Sequence, residues 1–471
     1  MKLGGRKAWP TIAALALPLA ACAPVGPDYL RPAAIVPPQY KEIKGWKLAS
    51  PRDDLAKGEW WRLFADPTLD KLESQVAVSN QTLKADEANY RLALALIAEA
   101  RAGLMPTINF DPSLTRVKSG KLLSDQLDAE VAGSWTLDVW GKTRRAVEQE
   151  SAAAEATAAD LANATLAAQS ALALAYVQLR QSDSLADLLA DTVKQYKRSL
   201  DIAQNQYNAG TAAKSDVITA QALELAAEAQ ALNVGVARAQ SEHAIAVLTG
   251  RAPAELTIPH GKLALDVPRA PIRVPSELLE RRPDIAAAER TMQAQNAAIG
   301  VAFAGYYPSL TLNGAFGYVG DPFIKQIAGV NPVWSYGLSV AQTLFNGGLT
   351  DAQVEAARQT YEASVASYRQ TVLTAFQQVE DQLAAIPLES RQLAIQTEAV
   401  KAAEQAVDIA LNEYRAGTQN FTTVVTAEAT ALNDEESALS TRAARLTATV
   451  NLIVALGGGW STAELPAAPT P

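Results

Sequence analysis

Few side chains in this chain of 471 residues are of the kinds that do chemistry, and their spacing brings few of them together. There are two histidines, His243 and His260, and one cysteine, Cys22. His243 follows Glu242 in a helical pattern, where adjacent residues point to different faces. His260 lies in a proline-rich stretch. Neither is spaced for a nucleophile–base pair. One cysteine and two histidines supply neither a metal cluster nor a disulfide framework. No catalytic, metal or cofactor site is therefore expected. The charge run Glu280-Arg281-Arg282-Pro283-Asp284 could hold an anion, but it reads mainly as a structural motif tied to a helix. Two similar stretches stand out instead: Tyr207-Asn208-Ala209-Gly210-Thr211 and Tyr414-Arg415-Ala416-Gly417-Thr418. In each, the glycine suits the left-handed conformation that ends a helix.

The elements that carry those turns are long. Before Tyr414, the residues Val365, Val372, Val379, Ile386, Leu393, Val400 and Val407 recur every seventh position. Before Tyr207, the residues Ala158, Leu172, Leu179, Ala186, Val193 and Leu200 do the same, with Thr165 as the polar member. Each run predicts a helix of about 100 Å at ~1.5 Å per residue. A strict heptad keeps the apolar seam on one side and bends helices into a left-handed supercoil. Alanine-rich composition supports helix. Pro387 interrupts the second run and predicts a kink or break; Arg180 stands at the matching place in the first.

Ahead of each long helix lie two segments with period two, the mark of a strand with one apolar and one polar face. They span about 107–117, 128–139, 308–318 and 333–344. In the second, Val131, Gly133, Trp135, Leu137 and Val139 alternate with Glu130, Ala132, Ser134, Thr136 and Asp138. A polar connector near Lys118–Asp125 joins the first two. One helix is expected from Asp66-Pro67, an N-cap followed by a first-turn proline, to about Leu104. Tyr207 matches Tyr414, Gly210 matches Gly417 and Pro106 matches Pro308, so the chain reads as an internal duplication. The organisation expected is 1–21 signal, 22–66 extended segment, 67–250 first repeat, 251–274 crossover, 275–457 second repeat and 458–471 tail. Ser276 is the plausible N-cap that opens the second repeat.

Composition narrows the partners. The net charge is −9 and no basic stripe carries interleaved aromatics, so nucleic acid is not expected. No run of about 20 apolar residues follows the N-terminus, which argues against a helical span. Lys2, Arg6 and Lys7 precede the apolar stretch Thr11–Ala21, a targeting segment to be kept out of the fold. It ends in Leu19-Ala20-Ala21-Cys22, which resembles a bacterial lipoprotein signal. That resemblance implies a lipidated Cys22, and Ala23 after it implies sorting to the outer membrane. Acyl chains anchor through about 0.8 kcal/mol per buried methylene.

Four strands of this length suit an outer membrane. Within lipid, an open sheet edge leaves backbone groups unsatisfied at several kcal/mol each. Barrels need about eight strands or more, so strands that span must be pooled between copies. The long helices then continue the tube into the periplasm. An ordinary small sheet on a soluble coiled-coil scaffold is the alternative.

Several motifs resemble those of outer-membrane efflux proteins of the TolC-like lipoprotein group. They are Val25-Gly26-Pro27-Asp28-Tyr29, Trp60-Trp61 with Phe64 and Asp66-Pro67, Asp138-Val139-Trp140-Gly141, and the run Pro275 to Ile285. They cover nearly the whole chain in order. The resemblance implies a mainly helical homotrimer with one twelve-stranded membrane β-barrel, a periplasmic helical barrel and an equatorial region. It implies an exit duct for a tripartite pump, with a periplasmic adaptor (membrane fusion) protein and an inner-membrane resistance-nodulation-division pump as partners. The duct of a type I protein secretion system shares the architecture. The two turns resemble the closed periplasmic tip, which makes Tyr207, Gly210, Asp216, Tyr414, Gly417, Gln419 and Asn420 the expected gate and adaptor-contact positions. Many such proteins place an acid soon after the second turn glycine. Thr418, Gln419 and Asn420 stand there in this chain, which points to a polar ring instead of a carboxylate ring.

Overall fold

The computed structural model describes residues 24–34, 36–42, 59–265, 267–268, 278–320 and 331–460. Cys22, Ser276, the signal segment and residues 461–471 lie outside them. The chain divides into two compact units, and each draws on both sequence halves. One comprises Met1–Tyr29, Ile97–Glu150 and Ala294–Tyr361; the other comprises Leu30–Leu96, Ser151–Gln293 and Glu362–Pro471.

The first half runs α1 (Pro67–Ser79), α2 (Gln81–Ala102), β1 (Thr107–Ser119), β2 (Leu122–Leu137), α3 (Lys142–Asn208) and α4 (Lys214–Leu248). The second runs α5 (Leu278–Arg281), α6 (Pro283–Phe303), β3 (Ser309–Gly320), β4 (Asn331–Ala341), α7 (Leu349–Arg415) and α8 (Phe421–Ala455). Trp60–Phe64 forms a short 3₁₀ helix with all three aromatics buried.

Asp66 caps α1 as its type and place suggest, accepting from the backbone of Thr68 and Leu69. The single helix expected from there to Leu104 is two helices. Asn80 breaks it with extended backbone (ψ 123). Its carboxamide oxygen caps α2 at Thr82, 2.9 Å away, and its amide donates to the Leu248 carbonyl at 3.0 Å. Asparagine competes with the helical ladder by bonding backbone groups through its own side chain.

Pro387, expected to kink or break the second long helix, lies inside an uninterrupted α7. A proline removes one helical bond, but Leu383 and Ile386 beside it are buried. Packing along the seam carries the helix through, as tertiary contacts supply most helical stability. The seam follows the heptads: Leu172, Leu179, Val365, Val372 and Val379 are all buried.

The sheet has the order β1-β2-β3-β4, antiparallel throughout. Register places one apolar set on one face. Ile108, Phe110 and Leu114 lie across from Gly133, Val131 and Leu127; Val131, Trp135 and Leu137 lie across from Phe316, Leu312 and Leu310; these lie across from Trp334, Leu338 and Val340. The other face carries Asp111 across from Glu130, Ser113 across from Asp128, and Thr311 across from Ser339. The connector near Lys118–Asp125 is mostly strand, turning at Gly120 and Lys121.

Asp138, placed by alternation on the polar face of the second strand, lies beyond its end at Leu137. Its carboxylate caps α3, accepting from the backbone of Thr143 at 2.9 Å and Arg144 at 3.0 Å. The first turn of a helix leaves such N–H groups without internal partners.

Candidate functional site

The ends of α3, α4, α7 and α8 meet in one apolar cluster: Ala203, Ala220, Val407, Leu411, Tyr414, Phe421 and Val424. The short connections 209–213 and 416–420 reverse the chain tightly because Gly210 and Gly417 take positive φ, 76° and 73°. The backbone of Thr211 returns to the Gln206 carbonyl at 2.9 Å, and that of Thr418 returns to Glu413 at 3.0 Å. These six-to-one bonds satisfy carbonyls that a helix end leaves open.

The two turns are alike in backbone and unlike in side chains. Tyr414 is buried and its ring lies 5.1 Å from that of Phe421. Its hydroxyl donates to Asp216 at the start of α4 across 3.3 Å. Burial, and then the Asp216 carboxylate, push the Tyr414 phenol up to about 12, so it remains a donor at any physiological pH. Tyr207, its counterpart, is exposed. Asn420 caps α8 at Thr423 (3.1 Å), and Gln419 accepts from the Thr423 hydroxyl at 3.3 Å. The structure thus joins Tyr414 to Asp216, whereas Gln419 and Asn420 bond within their own turn. A second link, which neither turn's residue pattern signals, joins the halves: the Gln206 amide donates to the Arg415 carbonyl at 3.1 Å.

Behind the turns, Glu428 on α8 is buried and accepts from Ser199 of α3. Its other oxygen has no partner among the described residues. Burial pushes this carboxyl up to about 7, opposed by the Ser199 bond. The sequence did carry a signal: Phe421, Val424, Glu428 and Ala431 keep helical spacing, which puts a carboxylate in an apolar stripe.

A buried ionic knot ties the crossover to α3 and α4. Asp183 is fully buried and accepts from Arg180 (3.1 Å), Arg238 (2.6 Å) and the backbone of Gly261 (3.1 Å). Arg180 also donates to the Pro259 carbonyl at 2.7 Å and to the Tyr176 hydroxyl at 3.0 Å. Tyr176 in turn donates to Asp66 at 2.7 Å. Arg238 donates to the Ile258 carbonyl and Glu242 accepts from the Ile258 backbone. His260 lies between Asp183 and Asp187 at 3.2 and 3.0 Å. Here Arg180, matched in the sequence to Pro387, is a structural hub, and His260 belongs to it. His243 is exposed on α4. Within the charge run Glu280 is exposed, whereas Arg282 is buried, pairs with Asp284 at 2.6 Å, and donates to Gln378 and to the Ala455 carbonyl at the end of α8.

In the unit that holds the sheet, residues 24–28 are clasped at the β2–α3 junction. The backbone of Val25 donates to the Trp140 carbonyl at 3.0 Å, and buried Arg145 donates to the Val25 carbonyl and to Asp28. Asn296 of α6 donates to the Pro27 carbonyl. Trp140 stacks on Tyr307 at 4.8 Å and donates to the Pro308 carbonyl at 2.7 Å.

Among the described residues no group of three or more histidine, cysteine, aspartate or glutamate side chains could hold a metal ion. Among the same residues no helix is long and apolar enough to cross a membrane. Residues 72–251 and 274–458 match the outer membrane efflux protein family profile. The chain is 28% identical over 461 residues to the toluene efflux pump outer membrane protein TtgC of Pseudomonas putida, covering 96% of this chain and 95% of that one. It is 30% identical to the pyoverdine export outer membrane protein OpmQ of Pseudomonas aeruginosa, covering 88% and 91%. The outer-membrane channel OprN superposes with a TM-score of 0.85 at 29% identity, covering 93% of this chain and 99% of that one. The open state of the Neisseria gonorrhoeae MtrE outer membrane channel gives 0.80 at 25% identity, covering 93% and 99%.

Proposed function

The chain belongs to the outer membrane efflux protein family, and from that premise we propose that three copies pool their four strands into one barrel and act as the passive exit duct of a tripartite pump. One observation carries this reading: a continuous apolar face runs across all four strands, and among the described residues the sheet ends at two strands, β1 and β4, each paired on one side only. In lipid such edges must be paired, and further copies supply the partners. The polar face then lines the lumen. No bond chemistry is involved.

In this reading the paired turns are the periplasmic tip. Tyr207, Gly210, Asp216, Tyr414, Gly417, Gln419 and Asn420 are the positions at which an adaptor protein docks and the duct opens. The Tyr414–Asp216 and Gln206–Arg415 bonds hold the tip closed, since they join the two halves where the helices end. The inner-membrane partner is a resistance-nodulation-division pump. Cys22 carries the lipid anchor. Toluene, antibiotics and pyoverdine are the cargoes that the names of its relatives carry, and compounds of those kinds are the cargo of this reading.

Deleting the chain from its cell and testing sensitivity to solvents, antibiotics and metals examines the function directly. Hypersensitivity restored by the intact gene supports it; unchanged sensitivity to all of them overturns the efflux reading. For the gate, Tyr414→Phe is expected to raise conductance of the purified protein in a planar bilayer, with Gln419→Ala as the comparison. Unchanged conductance in both overturns the gate assignment.

A further inference from the structure

The four strands sort their charges by face. On the face that carries Ile108, Phe110, Leu114, Leu127 and Val131, the charged side chains of the described strands are Arg116, Lys118 and Asp125. On the opposite face they are Asp111, Asp128 and Glu130. Among the described strand residues, then, cations stand only on the apolar face. The carboxylate beside them, Asp125, is already held by Arg116 through hydrogen bonds of 2.6 and 2.8 Å. Lys118 and Lys121 are exposed, and neither has an acidic partner among the described residues.

The cations are sorted by depth as well. β1 starts after α2 and β2 ends before α3, so Thr107 and Leu137 mark the end of the hairpin nearest the helices. Gly120 and Lys121 turn the chain at the far end. With the helical part in the periplasm, that far end lies at the outer leaflet. On the apolar face β2 carries no charge from Leu127 to Leu137. Ten residue steps separate these two and cover about 34 Å of strand at ~3.4 Å each. A tilt of about 40° leaves ~26 Å of height, which matches the apolar band of about 25 Å in an outer-membrane barrel. Arg116 and Asp125, across from each other, come just beyond that band. Lys118 lies across from Leu123, about 10 Å beyond Leu127 by the same measure and so level with the headgroups. Lys121 lies at the turn itself.

We propose that this end of the β1–β2 hairpin binds the phosphorylated glycolipid of the outer leaflet, with Lys118 and Lys121 on its phosphates and its acyl chains on the apolar face below. This rests on the pooled-barrel reading above and adds a lipid ligand to it. An ammonium donates charge-assisted hydrogen bonds to phosphate oxygens, and basic side chains at a membrane surface draw anionic headgroups. The charges are complementary because Asp125 is neutralised by Arg116, which leaves both lysines to an outside anion. Two ammonium groups suit lipid A, which carries two phosphates; an ordinary phospholipid brings one phosphate and leaves one lysine unmatched. Beneath the lysines, Phe110, Leu114, Leu127 and Val131 are exposed and offer the acyl chains an apolar surface. Near the interface a cation on the lipid face costs little stability, whereas at the midplane it costs much. Both lysines stand where the cost is low and the phosphates are found.

Native mass spectrometry of the full-length protein in detergent, with added diphosphoryl lipid A as the probe, reads the site. The native trimer is expected to retain lipid A, and Lys118→Ser with Lys121→Ser to retain severalfold less. Lys84→Ser, an exposed lysine of α2, is expected to bind as the native protein does. Lipid A stripped of its phosphates tests the same contact on the native chain and serves if the double variant fails to assemble. Phosphatidylglycerol is expected to be retained less than diphosphoryl lipid A. A trimer that binds lipid A equally with or without the two lysines, or with or without the phosphates, overturns the inference and leaves the barrel standing. Equal retention of phosphatidylglycerol overturns the choice of the glycolipid. A chain that stays monomeric overturns the pooled-barrel reading, and the lipid site with it.

Discussion

Arg238 on α4 donates to the fully buried carboxylate of Asp183 on α3 at 2.6 Å. The contact sits among backbone groups of the crossover: Arg238 also holds the Ile258 carbonyl, and Asp183 holds the Gly261 backbone. One carboxylate thereby fixes two helices and the chain that leaves them. A charge removed from water is tolerated when its partners are in place, and its loss strands those partners.

Asp183→Asn keeps the shape and removes the charge, leaving the buried Arg180 without its carboxylate while Arg238 retains Glu242 at 3.2 Å. The expected loss is about 3–5 kcal/mol, the usual range for breaking a buried pair. Urea unfolding followed by helical circular dichroism measures it. A loss no greater than that of an exposed control, such as Asp191→Asn, would show that the knot contributes little.

Glu73 of α1 is fully buried, and neither of its carboxylate oxygens has a hydrogen-bond partner among the described residues. Burial pushes it from 4.5 up to about 9. The folded chain therefore holds a proton that the unfolded chain releases above 4.5. Stability is greatest below that value and declines up to about pH 9, by about 1.4 kcal/mol per unit. Glu73→Gln should remove this slope in urea titrations between pH 5 and 9. Parallel slopes for the two proteins would sink the assignment.

Glu428 obeys the same sign in a narrower window, between 4.5 and about 7. Ser199→Ala deletes the bond that favours its ionised form, so the upper limit of the window should move up. The same pH series on this variant and on Glu428→Gln separates the two carboxyls. An unmoved limit in Ser199→Ala would mean the hydroxyl does not act on Glu428.

Residues 24–28 approach α6 closely. A Cβ at Gly300 would stand 2.8 Å from the Val25 carbonyl oxygen and 2.9 Å from Cγ of Arg145. Gly300→Ala is expected to loosen the clasp at a cost of about 1–3 kcal/mol, typical of overpacking. Limited proteolysis should then cut the segment before Arg31 faster than in the native chain. Equal cleavage rates would show that the segment yields without releasing.

The periodic parts of this architecture were legible because period reports burial. Leu172, Leu179, Val372 and Val379 were picked out by spacing alone and lie in the helix seams. Val131, Trp135, Leu312 and Leu338 alternate in sequence and share one face of the sheet. Single polar residues were not legible, since their roles depend on what the fold brings to them. Asn80 breaks a helix that propensity would continue, and Asp138 leaves the strand to cap α3. Asp183 has a helical neighbour in Arg180, but its partners Arg238 and Gly261 come from elements far along the chain. At the turns, glycine fixed the backbone shape in both halves, whereas the link from Tyr414 to Asp216 depends on how α7 meets α4.

The polar face of the sheet sets a further expectation. Asp111 of β1 lies across from Glu130 of β2, and Asp128 on the same face is held by Gln126 at 2.9 Å and by Ser113 at 3.4 Å. In a pooled barrel with this face inward, three copies bring these carboxylates together around one lumen. Acidic rings in a channel raise the local concentration of cations and favour their passage. The native channel should prefer potassium to chloride, and Asp111→Asn with Glu130→Gln should remove most of that preference while leaving the apolar face intact. The reversal potential in a planar bilayer under a potassium chloride gradient reads it directly, at low salt where screening is weak. A reversal potential that the double variant leaves unchanged would place these carboxylates away from the ion path and would turn the sheet the other way round.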